Sequence, residues 1–509
     1  MSKIKVVFNK EKIIFVEKGT TLLEAEREAG LKPDSPCGGQ GKCGKCKVKI
    51  ICGSHVSENL ACQVTVTENM EVETLSQETE HKILTEGNYR MTDVQPGIPA
   101  LPNKENAKTT CALAAFDVGT TTIAAYLLDA YDGKILAIGS ILNPQSEYAA
   151  DVIGRCNYEL KHENNHLCKI VRKAINQLIK ELSEKAGIKT KDIYGISFAG
   201  NTAMHHLFLG LSTAKLVVAP YVPAILKEHV YKACDYGINI HPEGILRVLP
   251  IIGSFVGADT AACLLATEFD KLDKLTLMVD IGTNGEIVLG NSERIVACST
   301  AAGPAFEGAK ITFGMRGAAG AIDHVIWENG RMKYTVIDNK EPIGICGSGL
   351  LDAISVMLNQ KIIKPSGYLK ESPYYLTEKI YISQKDIREL QLAKSAIAAG
   401  IRLLCLKMSV EVTDIDRVLI AGAFGNYMSP ASACTIGLIP KELQDKIIGI
   451  GNAAGEGAKL AIINEKEFIR AAEIAEKAEF IELAFLPEFQ DVFIEQMEFP
   501  EQDSTTQEE

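Results

Sequence analysis

Near the start of the chain, IKVVF, KIIFVE, KVKI and QVTV set apolar side chains at alternate positions, which predicts short strands with one buried face. Between them TTLLEAEREAG reads as a helix and a Gly/Cys-rich segment as a loop, so residues 1–78 are expected to form a small α+β module. From Thr79 to Lys108 the periodicity fades, and QPGIPALPNKEN strings prolines, a glycine and asparagines together. This predicts a linker over 79–109. A flexible chain of that length has an r.m.s. span of roughly 30 Å, which would let the first module swing over its neighbour.

From Thr110 onward β-rich blocks alternate with helical ones, and one pattern occurs twice: CALAAFDVGTTTIAAYLLD at 111–129 and KLTLMVDIGTNGEIVLG at 274–290. Each is an apolar strand, an Asp-Gly-Thr turn and a second strand. Asp117 and Asp280 lie too far apart for a solenoid repeat, so two similar α/β lobes, about 110–270 and 271–495, are expected to face one another across a ligand cleft. Between the copies an amphipathic helix is predicted around Leu160 to Lys185. Its His162 and His166 have i to i+4 spacing, but their polar neighbours favour a solvated face. The end of the chain, QMEFPEQDSTTQEE (496–509), is acidic without a base and reads as a frayed tail.

Composition narrows the function classes. Apolar residues make up 46% and charged residues 23%, as in globular proteins, and the length of 509 residues calls for several domains. The net charge of −12 disfavours nucleic acid and anionic membranes as partners, since both need a positive field. No apolar run is long enough to span a bilayer and the N-terminus does not read as a signal peptide, so a soluble cytoplasmic protein is expected. Most of the 14 cysteines stand singly in apolar or Gly-rich surroundings, including Cys263, Cys298 and Cys346, which suits a reducing compartment.

The exception is Cys37-Gly-Gly-Gln-Gly-Lys-Cys43-Gly-Lys-Cys46, a C-x5-C-x2-C loop in which glycines let the backbone wrap a compact inorganic core. A fourth thiolate is needed. Cys52 ends the KVKIIC strand and should be carried away from the loop, whereas the turn GSHVSEN can return Cys62, which is preferred. Four thiolates also suit zinc, but zinc sites usually pair cysteines as two short knuckles. The loop resembles that of plant-type and adrenodoxin-like ferredoxins, which implies a β-grasp fold and a 2Fe-2S cluster on Cys37, Cys43, Cys46 and Cys62. Lys42, Lys45, Lys47 and Lys49 surround it, either balancing the cluster's charge or docking an acidic partner.

The Asp turns carry different chemistry. A Gly-containing turn offers backbone N–H groups to phosphate oxygens, hydroxyls add donors, and a carboxylate can orient magnesium through water. Three further Gly-rich pieces follow: Ala301 to Gly308, Cys346-Gly347-Ser348-Gly349 opening a helix, and Ile420 to Asn426 ending a strand. Together they resemble the phosphate and adenosine motifs of the acetate kinase, sugar kinase, heat-shock chaperone and actin superfamily. The resemblance implies a two-lobed actin-like ATPase over 110–495 with a duplicated core, closing on ATP and Mg. It assigns Asp117, Gly119, Thr120, Thr121 and Thr122 to the first phosphate turn and Asp280, Gly282, Thr283, Asn284 and Glu286 to the second. Gly303, Glu307, Gly347 and Ser348 join them at the nucleotide. Gly422, Ala423, Phe424, Gly425 and Asn426 form the adenosine loop. Asp117, Asp280 and Glu286 are the candidates to orient the attacking water, and the residues alone do not choose among them. The absence of G-x-x-x-x-G-K-[ST] disfavours a P-loop mechanism.

A one-electron carrier joined to an ATPase suggests uphill electron transfer driven by hydrolysis, since easing a step by about 0.3 V takes roughly 7 kcal/mol. The joint architecture resembles the reductive activators of corrinoid proteins, including activating enzymes of methyltransferase systems in anaerobes. Asn143-Pro144-Gln145, Asp151-Val152-Ile153, Ala199 to His206 and Cys298 to Gly308 also look like this family. The resemblance implies reduction of cob(II)amide to cob(I)amide, with a corrinoid protein and a low-potential electron donor as partners and a homodimer as a candidate assembly. Some activators carry a middle domain before the ATPase; here the linker leads straight to Asp117, an expected departure. His205 and His206 are expected to be structural, and Ser299 is a candidate corrinoid contact, with a turn cap as its plainer role. A small-molecule kinase with a redox-sensing cluster and a chaperone-like ATP-binding module with a structural cluster are the alternatives.

Overall fold

The computed structural model describes residues 3–31, 33, 35, 39, 41, 44–52, 55–75, 87, 90, 92–107, 110–149, 151–162 and 165–501, apart from the side chains of Cys52, His55 and Ala423. Cys37, Lys42 and Cys43 lie outside the described residues. The first module holds β1 (Lys3–Phe8), β2 (Lys12–Glu17), α1 (Leu22–Glu28), β3 (Lys47–Cys52), β4 (His55–Leu60) and β5 (Met70–Thr74). Its sheet runs in the order β2-β1-β5-β3-β4. Strand β1 buries Ile4, Val6 and Phe8 and exposes Lys3 and Lys5, so its period of two places one face against α1. A capping box starts the helix: Glu24 N donates to Thr21 Oγ1, and Thr21 N to the Glu24 carboxylate.

The second half of the linker is not the free tether that its composition predicts. Gly87 bridges to Gly451, Gln95 N donates to Ile463 O at 2.8 Å, and Arg247 donates to Pro96 O at 2.5 Å. Arg90 pairs with Glu467 and donates to Leu265 O. Polar groups that a loose chain would leave to water are thus paired, and the described part of the segment from Arg90 to Ala107 is laid along the lobes that follow.

The next lobe comprises β6 (Ala112–Val118), β7 (Thr122–Asp129), β8 (Ile135–Leu142), α2 (Val152–His162), α3 (His166–Ala186), β9 (Ile193–Gly200), α4 (Thr202–Leu209), β10 (His229–Lys232), β11 (Ile245–Val248) and α5 (Ala258–Ala266). Its sheet order is β10-β11-β9-β6-β7-β8. Strand β6 sends Ala112, Ala114, Phe116 and Val118 to the α2/α3/α4 side and Leu113 and Ala115 to the opposite core. The single helix expected around 160–185 is corrected to two. Asn165, in the left-handed conformation, precedes α3, so His162 and His166 sit on different helices. His162 Nδ1 meets Tyr158 O and its ring stacks on Tyr158, a surface role.

The last lobe repeats the plan. It holds β12 (Thr276–Ile281), β13 (Gly285–Gly290), β14 (Ile295–Thr300), β15 (Ala321–Glu328), β16 (Arg331–Val336), β17 (Gly344–Ile345), α6 (Gly347–Asn359), β18 (Tyr374–Tyr375), β19 (Tyr381–Ile382) and α7 (Gln384–Met408). Then come β20 (Arg417–Ala421), α8 (Gly422–Tyr427), α9 (Pro430–Thr435), β21 (Ile447–Gly451), α10 (Ala453–Ile463), α11 (Glu465–Lys477), β22 (Ala478–Phe480) and α12 (Phe489–Glu495). The main sheet runs β21-β20-β12-β13-β14-β22. In both lobes an antiparallel triplet, β6-β7-β8 or β12-β13-β14, is joined by a parallel neighbour, β9 or β20. Helices α5, α10 and α11 share one apolar core with both sheets.

The acidic tail also needs correcting over its first residues. Phe499 is buried and its N–H donates to Pro365 O, while the buried Lys394 ammonium donates to Glu498 O at 2.5 Å. One aromatic side chain and paired backbone carbonyls outweigh the polar composition there.

Candidate functional site

Strand register decides where the cysteines meet. The β3–β4 ladder runs from Lys47↔Leu60 to Cys52↔His55, so Cys46 and Cys62 flank its open end and Cys52 lies at the turn end. Ala61 N donates to Cys46 O at 2.7 Å, and the Cys46 and Cys62 sulfurs are 3.4 Å apart. Two thiolates on one tetrahedral metal, with bonds of about 2.3 Å, stand about 3.8 Å apart, so the pair fits a shared metal atom after a small adjustment. Gly39, Gly41 and Gly44 have φ of +89°, +72° and +67°, and a Cβ on Gly39 would stand 3.7 Å from Cys62 Cβ. The positive φ values are what favour glycine here, and at Gly41 space does too, since a Cβ would stand 2.6 Å from Gln63 Nε2.

The two Asp turns open into one cleft of about 560 Å³, lined from both lobes. Gly119 N bonds back to Thr122 O and Gly282 N to Asn284 O, shaping two similar turns at the ends of β6 and β12. Three asparagines hold the first of them. Asn201 and Asn452 cap α4 and α10 with their carbonyl oxygens, while their amides donate to Thr120 Oγ1 (2.8 Å) and Asp117 Oδ2 (2.9 Å). Asn143 accepts from Gln145 N and donates to Gly119 O at 2.9 Å. An aspartate in these places has no donor for the second task. Glu307 joins the turns: one carboxylate oxygen accepts from Thr121 Oγ1 (2.9 Å), the other from Thr283 Oγ1 (2.7 Å).

Asp117, Gly119, Thr120, Thr121, Thr122, Asp280, Gly282, Thr283, Asn284, Glu286, Glu307, Gly347, Ser348, Gly422 and Phe424 all line this cleft. Gly422 has φ +82°, and a Cβ there would lie 2.8 Å from Asp280 Oδ1, so glycine is required by conformation and by space. Phe424 packs on Phe306 with ring centres 4.8 Å apart, and Tyr427 adds a second aromatic wall. Gly303, Gly425, Asn426 and Ser299 stand off the lining. Ser299 is in register with Glu286, which is in register with Asp280, and its hydroxyl donates to Glu286 at 3.4 Å instead of capping a turn. His205 and His206 are buried on α4; His206 Nδ1 meets Thr202 O and its Nε2 accepts from Ala224 N.

Four carboxyls crowd the cleft floor. Burial raises Asp117 to about 7, opposed by the Asn452 hydrogen bond and reinforced by Asp280. Burial and the charge of Asp280 raise Asp259 to about 7, burial raises Asp280 to about 6, and burial with the charges of Asp259 and Asp280 holds Glu286 well above the usual range. Among the described residues no three of these groups stand close enough to hold a bare metal ion, so a divalent cation in the cleft would be met through water, and its charge would favour the ionised forms. Without one, the folded chain keeps protons that the unfolded chain has already lost. These groups therefore make the metal-free protein less stable as pH rises from about 4 to about 7. Its thermal midpoint is expected to fall between about pH 5 and about pH 7, less so in Asp259→Asn, and magnesium with ATP should flatten the fall. A metal-free midpoint that holds level or rises would contradict this.

Comparison with known proteins agrees with the geometry. Residues 6–67 match the model of the 2Fe-2S iron-sulfur cluster binding domain, 112–272 the RACo middle region, and 274–509 the C-terminal domain of RACo, the ASKHA domain. The corrinoid activation enzyme RamQ of Eubacterium limosum is 32% identical, with 95% of this chain and 97% of the relative covered. The chain belongs to the family of reductive activators of corrinoid proteins. A solved structure of a reductive activator for corrinoid, iron-sulfur protein superposes with a TM-score of 0.71 at 30% identity, covering 98% of this chain and 99% of that one. The Co(II) methylated amine-specific corrinoid protein reductase of Methanosarcina barkeri is 29% identical over 45% of this chain and 46% of its own length.

Family membership carries a 2Fe-2S cluster on the first module and an ATP-binding ASKHA domain over 274–509. The expected departure is corrected: the middle-region match falls on 112–272, the lobe of the first Asp turn, so the family's middle region is present here. Among the described residues no helix is long and apolar enough to cross a membrane. Sequence reasoning missed Asp259, Asn452 and Arg316 in the cleft. Asp259 had a local sign, an acid just after Gly257 at the head of an apolar helix; Asn452 and Arg316 had none.

Proposed function

We propose that this chain reactivates a corrinoid protein of a methyltransferase system, passing one electron from its 2Fe-2S cluster to cob(II)amide and regenerating cob(I)amide at the expense of ATP. One observation carries the reading: a thiolate pair at a hairpin end and paired Asp turns around a single cleft occur in one chain, over whose length a corrinoid activation enzyme aligns.

Cys46 and Cys62, with Cys37 and Cys43, would hold the cluster, which supplies a one-electron donor. In the cleft, the N–H groups of 120, 121, 283 and 284 and the threonine hydroxyls would bind phosphate oxygens, and Asp117 and Asp280 would hold magnesium through water, which would supply charge stabilisation at the phosphates. Asn452 keeps one Asp117 oxygen fixed, so the other faces the ligand. Phe424 and Tyr427 give the nucleoside an apolar wall. The substrate cobalt belongs to the partner. Ser299 is the proposed contact toward it, for which its hydroxyl must leave Glu286. A low-potential donor re-reduces the cluster, and a homodimer is the proposed assembly.

The test mixes the reduced protein with candidate corrinoid proteins, with and without magnesium and ATP, and follows the cobalt spectrum. Cob(II)amide is expected to convert only with nucleotide present. Equal conversion without nucleotide would refute coupling.

A further inference from the structure

Among the described residues the first module meets both following lobes, one through Arg27 and the other through Lys45. Arg27 donates to Glu147 O, and its guanidinium lies 5.7 Å over the Tyr148 ring. Lys45, the residue before Cys46, donates to Gly314 O at 2.8 Å and to Ile311 O at 3.4 Å. Both footholds lie next to residues that grip the phosphate turns. Glu147 closes the short turn begun by Asn143, whose backbone N–H and side-chain amide hold Thr121 O and Gly119 O. Ile311 and Gly314 belong to the loop that follows Glu307, and that loop is tied down by Thr312 on Asp386 and by Met315 N on Ile345 O.

We infer that the cluster module docks across the cleft while Glu307 links the two phosphate turns, and that nucleotide, by taking those turns, undocks it; Glu307 is the positioning residue of this coupling. The inference rests on the reading that the cleft takes magnesium and ATP. Thr121 and Thr283 spend their hydroxyl donors on Glu307. Phosphate oxygens need the same donors, and a carboxylate beside them is repelled by like charge in a poorly solvated cleft. Once Glu307 gives way, the loop carrying the Lys45 foothold loses its tie to both turns. The Cys46 end of the module is then free to meet a cobalt on another protein.

Linkage makes the inference testable. If nucleotide releases the module, docking weakens nucleotide binding by the same factor as nucleotide weakens docking, so a variant that docks less well must bind nucleotide tighter. The full-chain protein with its cluster is used, with magnesium and a non-hydrolysable ATP analogue. Hydrogen exchange of the peptides containing Lys45–Lys47 and 308–316 is expected to rise together on adding the analogue. Lys45→Met should show the raised Lys45–Lys47 exchange without nucleotide and bind the analogue tighter, on the order of fivefold. Lys45→Arg, which keeps a donor, should behave as the parent. Cluster absorption in each variant checks that the module is folded. If the analogue binds but exchange at both peptides stays level or falls, or if Lys45→Met gains no affinity, the inference fails while the ATP reading stands. If the analogue does not bind, both fail.

Discussion

Serine at position 62 is expected to abolish normal 2Fe-2S absorption and cobalt reduction, while serine at position 52 leaves both in place. The reason is register. From Cys46 to Cys52 the chain is extended, and six residues of strand at about 3.3 Å each carry its end roughly 20 Å away. The β4 return then brings Cys62 back to a sulfur–sulfur distance of 3.4 Å from Cys46. A serine hydroxyl ionises far less readily than a thiol and is a poor replacement for a soft thiolate ligand. Nucleotide should still bind Cys62→Ser, because among the described residues the cleft is lined by the two lobes and by no residue of the first module. The reverse pattern, with Cys52→Ser bleaching the protein and Cys62→Ser sparing it, would overturn the ligand choice.

The features legible in the sequence were those written in local pattern. Alternating apolar residues marked the strands of both modules, and the two Asp-Gly-Thr turns marked a duplicated core, because each is strand, turn and strand in consecutive residues. Where partners come from afar, the sequence was silent. Asn452 reads as an ordinary helix cap, and nothing nearby shows that its amide reaches Asp117 from another lobe. The linker looked loose because its prolines are visible and its partners, Arg247 and Ile463, are remote. Phe499 looked stranded among acids until Lys394 and Pro365 supplied its pocket. The break between α2 and α3 was hidden for another reason. Residues 161–166 are all polar, as on the solvated face of one continuous helix, and among the described residues it is the left-handed Asn165 that breaks the backbone before α3.

The repeat itself makes the second large prediction. Asp280→Asn and Asp117→Asn are each expected to lower ATP hydrolysis about 10²- to 10³-fold with the cluster spectrum intact, since each removes a charge while keeping the side chain's size. Asp280 should be the cleaner variant. Its raised pKa of about 6 still leaves it ionised at neutral pH, and it faces Gly422, where no Cβ obstructs it. Asp117→Asn can keep the Asn452 bond only by turning its one carbonyl oxygen to it, which leaves its NH2 toward the ligand as a second change besides the lost charge. If the two carboxylates serve a single magnesium, the double variant costs little more than the worse single one, because residues acting as a unit are not additive. Steady-state hydrolysis by the four proteins decides it. Either single variant keeping more than about a tenth of the parent rate would remove that carboxylate from the site, since an essential charge stabiliser is worth more than tenfold. Full additivity would mean that the two turns act separately, and the facing of the lobes across one cleft would then need a different explanation.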